Sequence, residues 1–131
     1  MLSRLEFDGE ICWLKNFPRR HFFTTARTKK DFWKREPASI DTALIIPKHS
    51  DIIVSISQRW REEYREKSFG CDGVITSLRN LSLALYAADC LPIMMSDEVN
   101  RKFKGLIHAG WRGLEQQILC ETIRELQRMQ V

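Results

Sequence analysis

The residue types able to do chemistry concentrate in positions 88–113, which begin Ala88-Asp89-Cys90 and end His108-Ala109-Gly110-Trp111-Arg112-Gly113. A thiol stands at Cys90 and an imidazole 18 residues later at His108. Held together, a thiolate and an imidazole make either a metal site or a nucleophile with its base. Bringing them together is the task of the segment between. Apolar runs over 91–95 and 106–107 flank a charged stretch over 96–104, the pattern of two strands joined by a turn. Folded back on itself, that hairpin sets the two side chains close, and both chemistries stay open.

The elements that must position this unit are mostly strands. Ile11-Cys12-Trp13-Leu14 reads as a strand, and Pro18-Arg19-Arg20 as a break. His21-Phe22-Phe23-Thr24-Thr25, rich in aromatic and β-branched residues, leads to Arg27. An arginine after a buried strand can deliver its guanidinium to a phosphate or carboxylate, and it can equally be a plain surface residue. Positions 43–46 and 52–56 are strands around a polar corner, Pro47-Lys48-His49-Ser50-Asp51, in which His49 taken alone is structurally neutral. Positions 58–67 read equally as a short exposed helix anchored by Trp60 and Tyr64 or as a disordered loop insertion, closed by Ser68-Phe69-Gly70. Cys71-Asp72-Gly73 reads as a turn, 74–76 as a short strand and 81–88 as an apolar run of central-strand type. Leu114, Ile118, Ile123, Leu126 and Met129 mark one amphipathic helix over 111–129. Its start contains two glycines, which permit close backbone approach, and helix-start N–H groups are a natural seat for an anion.

At 131 residues, with 44% hydrophobic and 29% charged residues, the chain can bury one core, so a single domain over 1–131 is expected. Its net charge of +4 comes from basic residues interleaved with acidic ones, the pattern of solvated faces, so no nucleic-acid partner is expected. No apolar run is long enough to cross a bilayer, no signal segment is evident, and Cys12, Cys71, Cys90 and Cys120 contain no CxxC pair. Free thiols and a cytoplasmic location follow as expectations, with Cys12 and Cys71 as small packing groups.

Ala88-Asp89-Cys90-Leu91-Pro92 followed by His108-Ala109-Gly110-Trp111-Arg112-Gly113 resembles the laccase-domain family, also called multicopper polyphenol oxidases. His21-Phe22-Phe23-Thr24 with Arg27, Lys48-His49-Ser50 and Cys71-Asp72-Gly73-Val74-Ile75-Thr76 resemble further family motifs, in the family's order. The resemblance implies an α+β fold, a mixed β-sandwich core flanked by helices, here shortened relative to the family. It implies a Zn2+ ion, with copper as the alternative, held by His49, Cys90 and His108. Two imidazoles and a thiolate leave a fourth position open, the pattern of catalytic zinc. Their separations of 41 and 18 residues suit ligands from three strand ends and not a zinc finger.

The activity the resemblance implies is phosphorolysis of adenosine, inosine and methylthioadenosine, with adenosine deamination; copper-dependent phenol oxidation also belongs to the family. Purine nucleosides and phosphate are then the partners. Cys90, His108 and Arg27 are the catalytic candidates, with phosphate assigned to Arg27, Arg112 and the backbone from Gly110 to Gly113. Asp89 is expected to orient a ligand, and Trp111 to pack in the core, with stacking on a base as its alternative role. Shortening exposes sheet edges or apolar surface, so a homo-oligomer or a partner chain is expected. Two other readings compete: a metal-independent hydrolase with Cys90 as nucleophile and His108 as base, and an inactive zinc-binding interaction module.

Overall fold

The computed structural model describes residues 5–7, 11–14, 23–24, 41–58, 68–97 and 99–131. The chain divides into two compact units, Met1–Ser39 and Ile40–Val131. In the first, strands β1 (Leu5–Phe7), β2 (Ile11–Leu14) and β3 (Phe23–Thr24) form an antiparallel sheet in that order. Strand β2 falls on the expected residues, and β3 on the middle of the expected aromatic strand. Strand β1, Leu5-Glu6-Phe7, is an apolar-polar-apolar alternation too short to stand out from the mixed pattern around it. His21, Arg27 and all but the first residue of the segment 58–67 lie outside the described residues.

The second unit is built from strands β4 (Asp41–Ile45), β5 (Ile53–Ile56), β6 (Ser68–Phe69), β7 (Gly73–Thr76), β8 (Leu81–Leu85), β9 (Leu91–Ser96) and β10 (Lys104–Ala109). Two helices follow, α1 (Trp111–Glu115) and α2 (Ile118–Arg128). Strands β6, β4 and β8 make a parallel sheet, and β5, β7, β10 and β9 a mixed one, so the unit is the α+β sandwich expected.

Period-2 alternation assigns the faces of the mixed sheet. Val54, Ile56, Val74 and Leu106 turn toward Ala43, Ile45 and Leu81 of the parallel sheet and close one core with Phe69 and Cys71. The opposite face holds Ile75 and Ile107, both buried, and receives α2, which rests on β5 and β7. Ser55, on that face, donates a 2.7 Å hydrogen bond to Glu125 of α2. Strand β7 is therefore covered on both sides and buried throughout.

Two expectations need correction. The helix over 111–129 is split: Gln117 adopts φ 62°, which interrupts the i to i−4 ladder between α1 and α2. Consequently α2 buries Ile118, Thr122 and Leu126, four residues apart, while Leu114 and Ile123 face outward. The Thr122 hydroxyl is satisfied by donating to the Ile118 carbonyl at 2.8 Å. The 81–88 run also ends early, since β8 stops at Leu85 and residues 86–90 form a connection. Among the described residues no helix is long and apolar enough to cross a membrane.

Candidate metal centre

Strand register decides which loops meet. Because β4 and β8 run parallel with Ile45 opposite Leu85, the segments that follow them leave the same end of the sheet. The first carries His49, the second Cys90. The β9–β10 hairpin supplies the third group: it pairs Leu91 with Ala109 and Pro92 with His108, which sets Cys90 against Gly110. One donor atom each from His49, Cys90 and His108 lies within 4.8 Å of the others. The two imidazole centroids are 5.1 Å apart with the rings at 89°. His108 is 3% exposed, Cys90 half-buried and His49 exposed, so the group opens toward solvent on one side.

The space between these donors depends on Gly110. A Cβ there would lie 3.2 Å from Cys90 Sγ, 3.4 Å from His49 Cδ2 and 3.6 Å from His108 Cε1. Gly113 serves a different contact, since its Cβ would meet the Ser50 carbonyl at 2.8 Å. The two glycines of the 108–113 block thus admit the site and the histidine corner respectively. Two imidazoles and a thiolate around a gap that one methyl would crowd fit zinc or copper(I), and do not suit the oxygen-seeking magnesium or calcium.

Behind the donors sits Asp72, fully buried. Its Oδ1 accepts from the backbone N–H of His49 at 2.9 Å and lies 3.0 Å from His108 Nδ1. Its Oδ2 accepts from the N–H groups of Lys48 and Ser50 at 3.1 and 3.0 Å and from the Ser50 hydroxyl at 2.7 Å. Three successive N–H groups converging on one carboxylate form an anion nest, which the left-handed φ of 59° at His49 makes possible. Burial pushes the Asp72 carboxyl up, but the bonds from Ser50, His108 and Lys48 outweigh it and hold the group below the usual carboxylate range. Next to it, burial foremost, with the Asp72 charge adding to it, pushes the Cys71 thiol up to about 11.

Asp72 thus contacts both His108 and the corner that carries His49, whereas Asp89, the residue expected to orient a ligand, is exposed on the β8–β9 connection and lines the cleft beside the donors. Sequence reading missed Asp72 because an aspartate between Cys71 and Gly73 looks like a turn; a charge directly before the buried strand 74–76 was the available signal. A second correction concerns Trp111, which is 69% exposed and carries the Arg112 guanidinium 5.2 Å from its ring centroid. With β10 and α1 so oriented, the indole points away from the core. Arg112 is likewise exposed. A cleft of about 460 Å³ opens beside the three donors, walled by Pro47, Tyr86, Ala87, Ala88 and Asp89. Tyr86, 52% exposed, was read as part of a strand and stands instead at this wall.

Fold and site together define a class: an α+β sandwich with a His-Cys-His donor set gathered where its strands end. The sequence model of the multi-copper polyphenol oxidoreductase laccase family matches residues 33–131, and the chain belongs to that family. Relatives include purine nucleoside phosphorylase YlmD of Bacillus subtilis (strain 168), 35% identical over 81 residues, 59% of this chain and 29% of that protein. A purine nucleoside phosphorylase of Aquifex aeolicus (strain VF5) is 40% identical over 55 residues, 42% of this chain and 25% of the relative. Among solved structures, YlmD of Geobacillus stearothermophilus superposes with a TM-score of 0.61 at 26% identity, covering 77% of this chain and 38% of that one. The chain thus spans less than a third of these two curated relatives.

Proposed function

We propose that this chain carries the metal centre of a zinc-dependent purine nucleoside phosphorylase acting on adenosine, inosine and methylthioadenosine, with adenosine deaminase activity. The observation behind this reading is the convergence of His49, Cys90 and His108 within 4.8 Å in a chain whose relatives bear that name. These three residues would hold Zn2+, with copper as the alternative. Bound there, the ion supplies Lewis acidity and favours the thiolate of Cys90.

The remaining roles belong to the protein's own groups. In phosphorolysis a phosphate oxygen attacks C1′ of the ribose while negative charge builds on the departing purine, so the site needs cationic donors at one end and a cradle for the base at the other. Arg27 is assigned to phosphate, with Arg112 and the backbone from Gly110 to Gly113 in support. Pro47, Tyr86 and Ala87 contribute to a largely apolar wall against which a purine can pack. Asp72 holds the His108 ring in place. A cytoplasmic setting suits Cys71, Cys90 and Cys120, all free thiols. The outward-facing Leu114, Leu119 and Ile123 support association with a second copy or a partner chain, which light scattering on the purified protein tests.

The decisive assay mixes zinc-loaded protein with adenosine and phosphate and separates the products. Adenine with ribose 1-phosphate, or inosine, is expected, and neither should form with His108→Ala. Absence of both from wild type overturns the phosphorylase and deaminase reading. A second reading has one observation in its favour: Asp72, His108 and Cys90 are arranged like the orienting acid, base and nucleophile of a cysteine hydrolase. Stoichiometric zinc that is lost on Cys90→Ala excludes it.

A further inference from the structure

Asp72 touches the supports of two of the three donors, which lie on different parts of the chain. We propose that Asp72 is a positioning residue that sets both imidazoles of the site at once: it fixes His108 as the Nδ1–H tautomer and clamps the left-handed corner that carries His49. The inference rests on the metal-centre reading for its purpose, but its chemistry belongs to the protein without any ion.

The hydrogen-bond inventory leaves one arrangement. Oδ2 faces three donors, the N–H groups of Lys48 and Ser50 and the Ser50 hydroxyl, and Oδ1 faces the His49 N–H. A carboxylate surrounded by donors has no proton of its own to give, so the contact at 3.0 Å is His108 Nδ1–H donating to Oδ1. In the neutral ring the lone pair of His108 is then on Nε2, which leaves that nitrogen as its ligand atom. The backbone adds a second tie, since the His108 N–H donates to the Asp72 carbonyl at 2.7 Å as the β7–β10 ladder ends. His49 is held differently, through its main chain. A non-glycine residue at φ 59° is uncommon, and the nest around Asp72 is what stabilises it here.

An asparagine at this position keeps the shape and breaks the logic. Placed with its oxygen toward His49 and His108, its NH2 confronts three donors. Flipped, its NH2 donates to His108 Nδ1 and drives the ring proton to Nε2, removing the lone pair a metal needs. Removing the Ser50 hydroxyl, by contrast, takes one bond from Oδ2 and leaves Oδ1 alone.

Two-bond nitrogen–proton correlation spectra of the imidazoles, recorded on metal-free protein, read the tautomer directly. Wild type and Ser50→Ala are expected to show His108 protonated at Nδ1; Asp72→Asn is expected to lose that signature and to bind Zn2+ about 10- to 100-fold more weakly in competition with a chelator. Wild-type His108 protonated at Nε2 overturns the proposal. So does Asp72→Asn that keeps the Nδ1–H form and binds Zn2+ within about threefold of wild type. If Asp72→Asn fails to fold, the wild-type and Ser50→Ala spectra still decide. Wild type with the Nδ1–H form and no Zn2+ binding overturns the metal centre while upholding the tautomer assignment.

Discussion

Gly110 has an extended backbone, φ −80° and ψ 165°, that any residue can adopt, so conformational freedom is not why glycine stands there. Space is the reason. A methyl at 3.2 Å from Cys90 Sγ is closer than side chains ordinarily sit, so the thiol has to give by a few tenths of an ångström, and at 3.4 Å from His49 Cδ2 and 3.6 Å from His108 Cε1 the methyl also stands in the gap between the donors. Gly110→Ala is therefore predicted to weaken zinc binding by about tenfold or more while costing no more than about 1 kcal/mol of folding stability, because misplacing ligands harms a site before it harms a core. A chelator-competition titration beside a urea melt checks both halves. At this scale the donors were legible, since Cys90, His108 and His49 stand in motifs whose order is specific. Asp72 was not legible, because its partners are mainly backbone N–H groups 22 to 24 residues away, and main-chain donors leave no mark on the residue types.

At the scale of elements, the hairpin was readable because 91–95 and 106–107 are apolar runs around a polar loop. Asp97 reinforces that loop by accepting from the N–H groups of Val99, Asn100 and Lys102. The break between α1 and α2 was hidden, because Gln116 and Gln117 are ordinary helix formers, and nothing in their residue types marks Gln117 for the left-handed region that it adopts. Glycine pays little for that conformation, so Gln117→Gly is predicted to stabilise the fold by about 0.5 to 1 kcal/mol, read as a higher urea midpoint at unchanged slope. The docking of α2 on β5 includes the hydrogen bond from Ser55 to Glu125. Ser55→Ala should cost about 1 kcal/mol and expose α2 amides to faster hydrogen exchange than those of β7, which is buried on both faces.

For the molecule as a whole, the titrating groups predict a stability dome with two distinct edges. Hydrogen bonding from Ser55 foremost, then from Arg128, holds the Glu125 carboxyl below its ordinary range, and the Asn100 N–H, followed by those of Lys102 and Val99, does the same for Asp97. A depressed carboxyl contributes stability that is present above its unfolded pKa and lost as pH falls through the folded one, so the acid edge lies below about pH 4. Cys71 acts with the opposite sense. With its thiol raised from 9.0 to about 11, its contribution is complete below pH 9 and lost as pH rises toward 11. Thermal melts from pH 3 to 11 should show the plateau. Cys71→Ala should flatten the alkaline edge and Glu125→Gln the acid one, each leaving the other in place.

Residue types and their order determined the family, the strand-rich middle, the hairpin and the three donors, because those depend on local pattern and on side chains that have few other uses in combination. Tertiary structure alone decided that β4 and β8 run parallel in register, so that the loops bearing His49 and Cys90 emerge together. It also decided that Asp72 backs the site, that Trp111 faces outward, and that the last helix is two. Each of these turns on where distant backbone groups and surfaces meet in space, and such meetings follow from packing the whole unit, not from any single stretch of it.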